Sequence, residues 1–84
     1  MGKYAKVYEH IMTRRSDSSV PFGDVCVLLS RIGFESRIRG DHHIFTMEGV
    51  EEIINIQPKN GMSKPYQIKQ IRDLLLKYKL RMED

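Results

Sequence analysis

The stretch FESRIRGDHHIFTM, residues 34–47, decides the fold of this chain because it predicts a β-hairpin. Residues 34–39 alternate apolar or small side chains with charged ones, and residues 42–47 contain the β-favouring run Ile44-Phe45-Thr46. The dipeptide Gly40-Asp41 lies between them, and glycine and aspartate suit the positive φ angles of a two-residue hairpin loop. Two antiparallel strands joined by a tight turn are therefore expected.

The period of two along a strand sorts these side chains by face. The first strand divides into Phe34, Ser36 and Ile38 on one face and Glu35, Arg37 and Arg39 on the other. The same rule separates the adjacent residues His42 and His43, so one ring is expected to pack inward while the other faces solvent.

Outward from the hairpin, the chain predicts one further strand and three helices: a strand over 51–57 and helices over 3–14, 22–32 and 65–80. Gly33 suits the left-handed cap that ends the second helix, and Pro65 suits the first position of the last one. The loop over 58–64 is rich in turn-forming residues.

This order predicts an α+β fold with a three-stranded antiparallel sheet. Helices most simply cover one face of such a sheet and leave the other open. From the second helix onward, α-β-β-β-α is the order of a double-stranded-RNA-binding-domain-like fold. The chain is interpreted as a single domain over 1–84, with a core over 22–78 and the helix 3–14 as an addition that packs on it.

Composition limits the classes of function. The chain has 84 residues and a net charge of +3, which permits a nucleic-acid partner without requiring one. The single cysteine, Cys26, excludes an internal disulfide, and its apolar surroundings favour a small core residue. The N-terminus lacks an apolar signal-peptide core, and the longest apolar run is too short to span a bilayer, so we expect a cytoplasmic protein without a membrane role.

The histidine pair is the strongest candidate for chemistry, although a polar strand-edge role is also open for each ring. A histidine can accept or donate a proton near neutral pH, and RNA carries a 2′-hydroxyl beside each phosphate that a base can turn into a nucleophile. Nearby cations can stabilise the charge that builds on the phosphate. The candidates for that role, each also plausible as a solvated surface residue, are Arg37, Arg39, Lys59 and Lys64.

A metal site and a bound cofactor are not expected. Adjacent strand residues diverge, so His42 and His43 do not make a ligand pair, and no third ligand has a suitable spacing. Asp41 precedes His42 directly, but adjacency at a turn does not place its carboxylate on the ring. The chain also has no glycine-rich phosphate loop.

Three segments, taken in order, resemble the HicA family of bacterial toxins. They are Leu29-Ser30-Arg31-Ile32-Gly33-Phe34 at a helix end, Gly40-Asp41-His42-His43-Ile44-Phe45 at the hairpin, and Lys64-Pro65-Tyr66-Gln67-Ile68-Lys69-Gln70-Ile71 opening the last helix. The similarity covers about residues 22–78. It implies the double-stranded-RNA-binding-like fold, ribosome-independent cleavage of messenger RNA and neutralisation by a HicB antitoxin.

The resemblance maps the family's catalytic histidine onto His42 and places His43 where relatives often hold histidine or a basic residue, which implies a phosphate contact. Two departures from the family pattern stand out. Asp41 replaces the usual serine or glycine, and the segment Gln57-Pro58-Lys59-Asn60 lacks the histidine of a Pro-x-His type strand end.

Three functions follow as hypotheses. The first is a metal-independent endoribonuclease toxin with His42 as general acid or base and with Arg39 and Lys64 on phosphate. The second is a non-catalytic RNA-binding module of the same fold, which would read RNA shape through its backbone. The third is a protein-interaction domain that docks another chain on the open sheet face. The oligomeric state of the free protein and any RNA sequence preference are not indicated by the sequence.

Overall fold

The computed structural model describes residues 2–14 and 16–82. In chain order its elements are α1 (Lys3–Met12), a 3-10 turn (Asp17–Ser19), α2 (Phe22–Ile32), β1 (Glu35–Arg39), β2 (His42–Met47), β3 (Val50–Ile56) and α3 (Pro65–Lys77). The predicted α+β fold is confirmed, with the α-β-β-β-α order from α2 onward. Arg15, in the predicted first loop, and Glu83 and Asp84, in the predicted frayed end, lie outside the described residues.

The sheet is an antiparallel meander in the order β1-β2-β3. Gly40 begins the two-residue turn between β1 and β2 with a φ of +62°, a conformation that glycine adopts without steric cost. The β2–β3 pairing contains a shift of register between Phe45 and Met47, because Phe45 lies opposite Ile54 while Met47 lies opposite Val50. Pairing within the hairpin is regular, with Arg39 opposite His42.

The register assigns the two faces of the sheet. Ser36 lies opposite Phe45, which is buried, so the face predicted for Ser36 and Ile38 is the one that meets the helices. Arg37 lies opposite Ile44 on the other face. The register thus confirms the predicted division of the first strand into two faces. All of β1 is nevertheless exposed, Ile38 to 65%, because this edge strand extends beyond the cover of the helices.

The core lies between the sheet and the helices. It combines apolar side chains from the three helices, from β2 and β3, and from the residues that flank α2. They are Ile11, Val20, Phe22, Val25, Leu28, Leu29, Phe34, Phe45, Ile54, Ile56, Ile68, Ile71, Leu74 and Leu75. The apolar stripe predicted for α1 packs against this core through Tyr4, Val7 and Tyr8, which are half-buried, and through Ile11. This confirms that the N-terminal helix belongs to the packed domain.

Two helix ends differ from the prediction for an identifiable reason. Helix α3 ends at Lys77 rather than near Leu80, because Lys79 takes a left-handed φ of +53° and the Leu80 amide donates to the Leu75 carbonyl at 2.9 Å. Helix α1 ends at Met12, two residues earlier than predicted; Thr13 caps it, and the next residue, Arg14, also has a positive φ, +58°. Neither end carries the glycine that marks the end of α2.

A buried arginine joins the N-terminal segment to the last helix. Arg72 on α3 donates from Nη1 to the Ile11 carbonyl at 3.1 Å and holds both carboxylate oxygens of Asp17, at 2.9 and 3.1 Å. The Arg72 side chain is only 5% exposed, whereas that of Asp17 is 26% exposed. The pair lowers the pKa of Asp17 through the hydrogen bond from Arg72, so the carboxylate is charged at neutral pH.

A second charged contact fixes the edge strand β3 to α3. Lys77 Nζ donates to Glu52 Oε2 at 2.8 Å, and the Tyr78 hydroxyl donates to Oε1 of the same carboxylate. These hydrogen bonds lower the pKa of Glu52 to about 2.

Among the described residues, no helix is long and apolar enough to cross a membrane.

Two residues of α3, Arg72 and Lys69, form ion pairs, and we expect the loss of the Arg72 pair to lower the free energy of unfolding far more than the loss of the Lys69 pair. Arg72→Met should destabilise the fold by about 3 kcal/mol, because Asp17 and the Ile11 carbonyl lose their partner in a largely buried setting. Lys69→Ala, which removes the exposed Lys69–Asp73 pair, should leave the free energy of unfolding close to that of the parent, because solvent screens an exposed pair. Urea unfolding measures both values, and equal losses would show that the buried pair does not hold α3 to the N-terminal segment.

Candidate active site

The candidate site lies at the end of the sheet where the β1–β2 hairpin turns. Strand β3 ends at the same end, since Ile56 lies opposite His43 at the start of β2. The loop over 57–64 therefore leaves the sheet beside the hairpin turn and leads directly into α3. This topology places the start of that loop at the hairpin end of the sheet.

His42 lies on the open face of the sheet. Its side chain is 47% exposed. Its Nδ1 atom lies 2.9 Å from Oδ1 of Asn55, which is on β3. The second ring nitrogen, Nε2, lies 3.9 Å from the Asp41 carboxylate, beyond hydrogen-bonding distance. The ring is therefore held at Nδ1 by the neighbouring strand, and Nε2 is the nitrogen available to a ligand.

Two arginines share this face with His42. Arg39 lies directly opposite His42 in the β1–β2 register, and Arg37 lies opposite Ile44, one step further along the same face. Directly opposed residues have Cβ atoms about 5 Å apart, so the Arg39 guanidinium can reach a group bound at the His42 ring. Both arginines are exposed. The structure thus brings together three of the site residues predicted from sequence.

His43 lies on the opposite face, against α2. Its ring meets the Phe22 ring edge-on with centroids 4.8 Å apart, and its Nδ1 lies 3.8 Å from the Cys26 sulfur. The prediction that one histidine packs inward and the other faces solvent is confirmed. The sheet separates the two imidazoles, so His43 does not face a group bound at His42, and its contacts favour a packing role.

Cys26 is not an activated nucleophile, despite its contact with His43. Burial raises the pKa of the Cys26 thiol to about 11. A thiol in that range is protonated at neutral pH, and the thiolate is the reactive form. The half-buried Cys26 side chain therefore behaves as the apolar packing residue expected from the sequence.

The loop over 57–64 is pinned by backbone hydrogen bonds. Lys59 and Met62 exchange a pair of them, at 2.9 and 3.0 Å, and the Ser63 amide donates to the Val20 carbonyl at 2.9 Å. The Phe22 amide, at the start of α2, donates to the Gly61 carbonyl at 3.0 Å. The loop that carries Lys59 is therefore fixed against the domain.

The two lysines differ in their setting. Lys59 is exposed, whereas Lys64 is half-buried at the N-cap of α3, where its amide donates to the Gln67 side chain at 3.2 Å. Both lysines lie on the loop, which is hydrogen-bonded to Val20 and to the start of α2, rather than on the sheet face that carries His42 and Arg39.

Asn55 is the residue that sequence reasoning missed. Its position on β3, one residue before Ile56, places it on the open face by the period of two. It lies opposite Ile44 and therefore reaches His42 diagonally across the strands. A polar residue on the strand next to the histidine, on the same face, was the available signal.

Within the part of the chain that the structure describes, no group of three or more histidine, cysteine, aspartate or glutamate side chains is placed to hold a metal ion. No family model, curated protein or solved structure matches this chain.

The burial of Cys26 predicts slow alkylation. At pH 8, a pKa of about 11 in place of the ordinary 9.0 lowers the thiolate fraction roughly 100-fold, so iodoacetamide should modify the folded protein that much more slowly than the urea-unfolded chain. Mass spectrometry of timed samples gives both rates. A folded protein that reacts as fast as the unfolded chain would mean that Cys26 is an accessible and activated thiol.

Proposed function

We propose that this protein is an endoribonuclease of the HicA toxin type, which cuts messenger RNA without a metal ion and uses His42 as its general acid–base. The observation that carries this proposal is the setting of His42. Its ring lies on an open sheet face, is held at one nitrogen by Asn55 and has Arg39 directly opposite it. The resemblance of the hairpin to the family's histidine segment supports the same residue.

The chemistry needs only groups that the site, the RNA and solvent water provide. Nε2 of His42 would take the proton of a ribose 2′-hydroxyl, and the 2′-oxygen would attack the adjacent phosphorus. The new bond from the 2′-oxygen to phosphorus forms as the bond from phosphorus to the 5′-oxygen breaks. The leaving 5′-oxygen takes a proton from a solvent water molecule, and Nε2 of His42 then releases the proton that it removed to the hydroxide left behind. The products are a 2′,3′-cyclic phosphate and a 5′-hydroxyl end.

Charge stabilisation would come from the basic residues at the same end. Arg39 would contact the phosphate in reaction, because it lies opposite His42 in the hairpin. Arg37 lies one step further on, where a neighbouring phosphate of the strand would pass. Lys64 and Lys59 would contact the RNA backbone beyond the hairpin turn. Phosphate contacts of this kind position the nucleic acid and make its binding sensitive to salt.

The open face of the sheet is the surface at which we propose that RNA and an antitoxin bind. No helix of the described chain covers the side of the sheet that carries His42, so RNA can reach it. An antitoxin of the HicB type would neutralise the protein by covering that face or the hairpin edge and excluding RNA from His42. Messenger RNA as substrate places the protein in the cytoplasm.

One observation favours a second candidate, a non-catalytic RNA-binding module. The Asp41 carboxylate lies 3.9 Å from Nε2 of His42, and a negative charge there opposes the approach of a phosphate. In that case the basic residues would bind RNA without cleavage. Binding that weakens steeply with salt, on RNA that stays intact, distinguishes this module from the nuclease.

The nuclease proposal predicts that His42→Ala abolishes toxicity without unfolding the protein. The parent and the variant would be induced in growing bacteria while growth and the integrity of a reporter messenger RNA are followed. We expect the parent to arrest growth and cut the message, and the variant to cut at least about 100-fold more slowly, because it lacks the general acid–base.

Thr46→Ala is the matched control for this experiment. Thr46 is on the same strand and the same open face as His42, four residues away, and it is also exposed. The control should be as toxic as the parent. A His42→Ala protein that folds by circular dichroism and cuts RNA as fast as the parent would remove His42 from the mechanism.

A further inference from the structure

We infer that Asn55 is a positioning residue for His42, which fixes the ring with its proton on Nδ1 and leaves Nε2 to exchange a proton with RNA. The role of Nε2 toward RNA depends on the proposed function, whereas the tautomer of the ring does not. The inference starts from the 2.9 Å contact between Asn55 Oδ1 and His42 Nδ1.

The chemistry of that contact determines which ring nitrogen is protonated. An amide oxygen can only accept a hydrogen bond, so Nδ1 must donate it and must carry the proton. In the neutral ring, Nε2 is then the nitrogen with a free lone pair. A general base acts through such a lone pair. Nε2 can do so here because Asn55 is hydrogen-bonded to the other ring nitrogen, Nδ1.

Asn55 rather than Asp41 orients the ring. The Asp41 oxygen is 3.9 Å from Nε2, outside hydrogen-bonding range, and its side chain is 68% exposed on the hairpin turn. Asn55 lies within a strand, in the paired segment that sets Ile44 opposite it. Both members of the contact therefore sit on paired strands, which hold a geometry better than a turn does.

The neutrality of the amide suits a site for phosphate. An aspartate at position 55 would accept the same hydrogen bond but would add a negative charge beside the incoming phosphate. Asn55 orients the ring without adding to the negative charge that the Asp41 carboxylate already places 3.9 Å from Nε2. The hydrogen bond from Nδ1 also persists when Nε2 takes up a proton, because both nitrogens of the charged ring are donors. The ring thus keeps its orientation through a cycle of proton uptake and release.

The test is the tautomer of His42, read from imidazole nitrogen shifts in long-range ¹H–¹⁵N NMR spectra at a pH where the rings are neutral. The chain offers an internal reference, since His10 Nε2 lies 3.0 Å from the Ser16 carbonyl oxygen and must carry the proton there. His10 and His42 should therefore show opposite tautomers in the parent, with the His42 signals assigned by their loss in His42→Ala.

Three variants make the test specific. Asn55→Ala should move His42 away from the Nδ1-protonated form, Asn55→Asp should retain that form because its oxygen still accepts, and Ile53→Ala should leave it unchanged. Asn55 and Ile53 are both exposed on β3, so these variants should fold. RNA cleavage should fall on the order of tenfold to a hundredfold in Asn55→Ala and stay at the parent rate in Ile53→Ala.

The outcomes separate the two proposals. A His42 ring protonated on Nε2 in the parent, or a tautomer that Asn55→Ala does not move, overturns the inference whatever happens to RNA. A tautomer that follows position 55 as described supports it, even if the parent leaves RNA intact. That last result would reject the nuclease while retaining Asn55 as the residue that positions His42.

Discussion

The antiparallel register of the β1–β2–β3 meander is the constraint on which the rest of this structure depends. It directs Phe45, Ile54 and Ile56 into the core beneath the helices and leaves Arg39 and Asn55 with His42 on the open face. A slip of one residue would exchange these sets, burying the charged side chains and exposing the apolar ones. Because that exchange would be strongly unfavourable, Arg39, Asn55 and His42 stay on the open face at the hairpin end. The packing of the core therefore also positions the candidate site.

The same constraint gives two adjacent histidines different roles. His43 shares the inner face with Phe22 and Cys26, and its ring contributes to packing at the start of α2. His42, one residue earlier, is held by a single hydrogen bond on the outer face. On the inner face, Arg72 links α3 to Asp17 and to the end of α1, two segments that are far from it in sequence. Stability is thus concentrated on one side of the sheet and the proposed chemistry on the other.

Helix and strand ends are predictable from sequence where a residue type strongly favours one backbone conformation, as glycine does at a helix end. Gly33 ends α2 as predicted, with a φ of +126°. Lys79, just beyond the end of α3, also has a positive φ, +53°, but its residue type gives no signal for a helix end. The faces of the sheet were predictable because the shift in register between Phe45 and Met47 is of two residues, which preserves the alternation. The shared face of His42 and Asn55 was predictable from the period of two, whereas their diagonal contact was not, because the exact pairing of β2 with β3 depends on that shift. The bidentate pair of Arg72 with Asp17 likewise depends on how the helices dock.

The chemistry of the RNA ends tests the central claim most directly. Purified protein would be incubated with RNA in the presence of a chelator, and the new ends would be identified by their response to end-specific enzymes. General acid–base catalysis at His42 predicts 5′-hydroxyl and 2′,3′-cyclic phosphate ends, formed at the same rate with or without the chelator, and no cleavage of a strand that lacks the 2′-hydroxyl at the cut site. Ends carrying a 5′-phosphate, cleavage that stops when metal is removed, or cutting of the 2′-deoxy strand would contradict a mechanism in which His42 activates the 2′-hydroxyl.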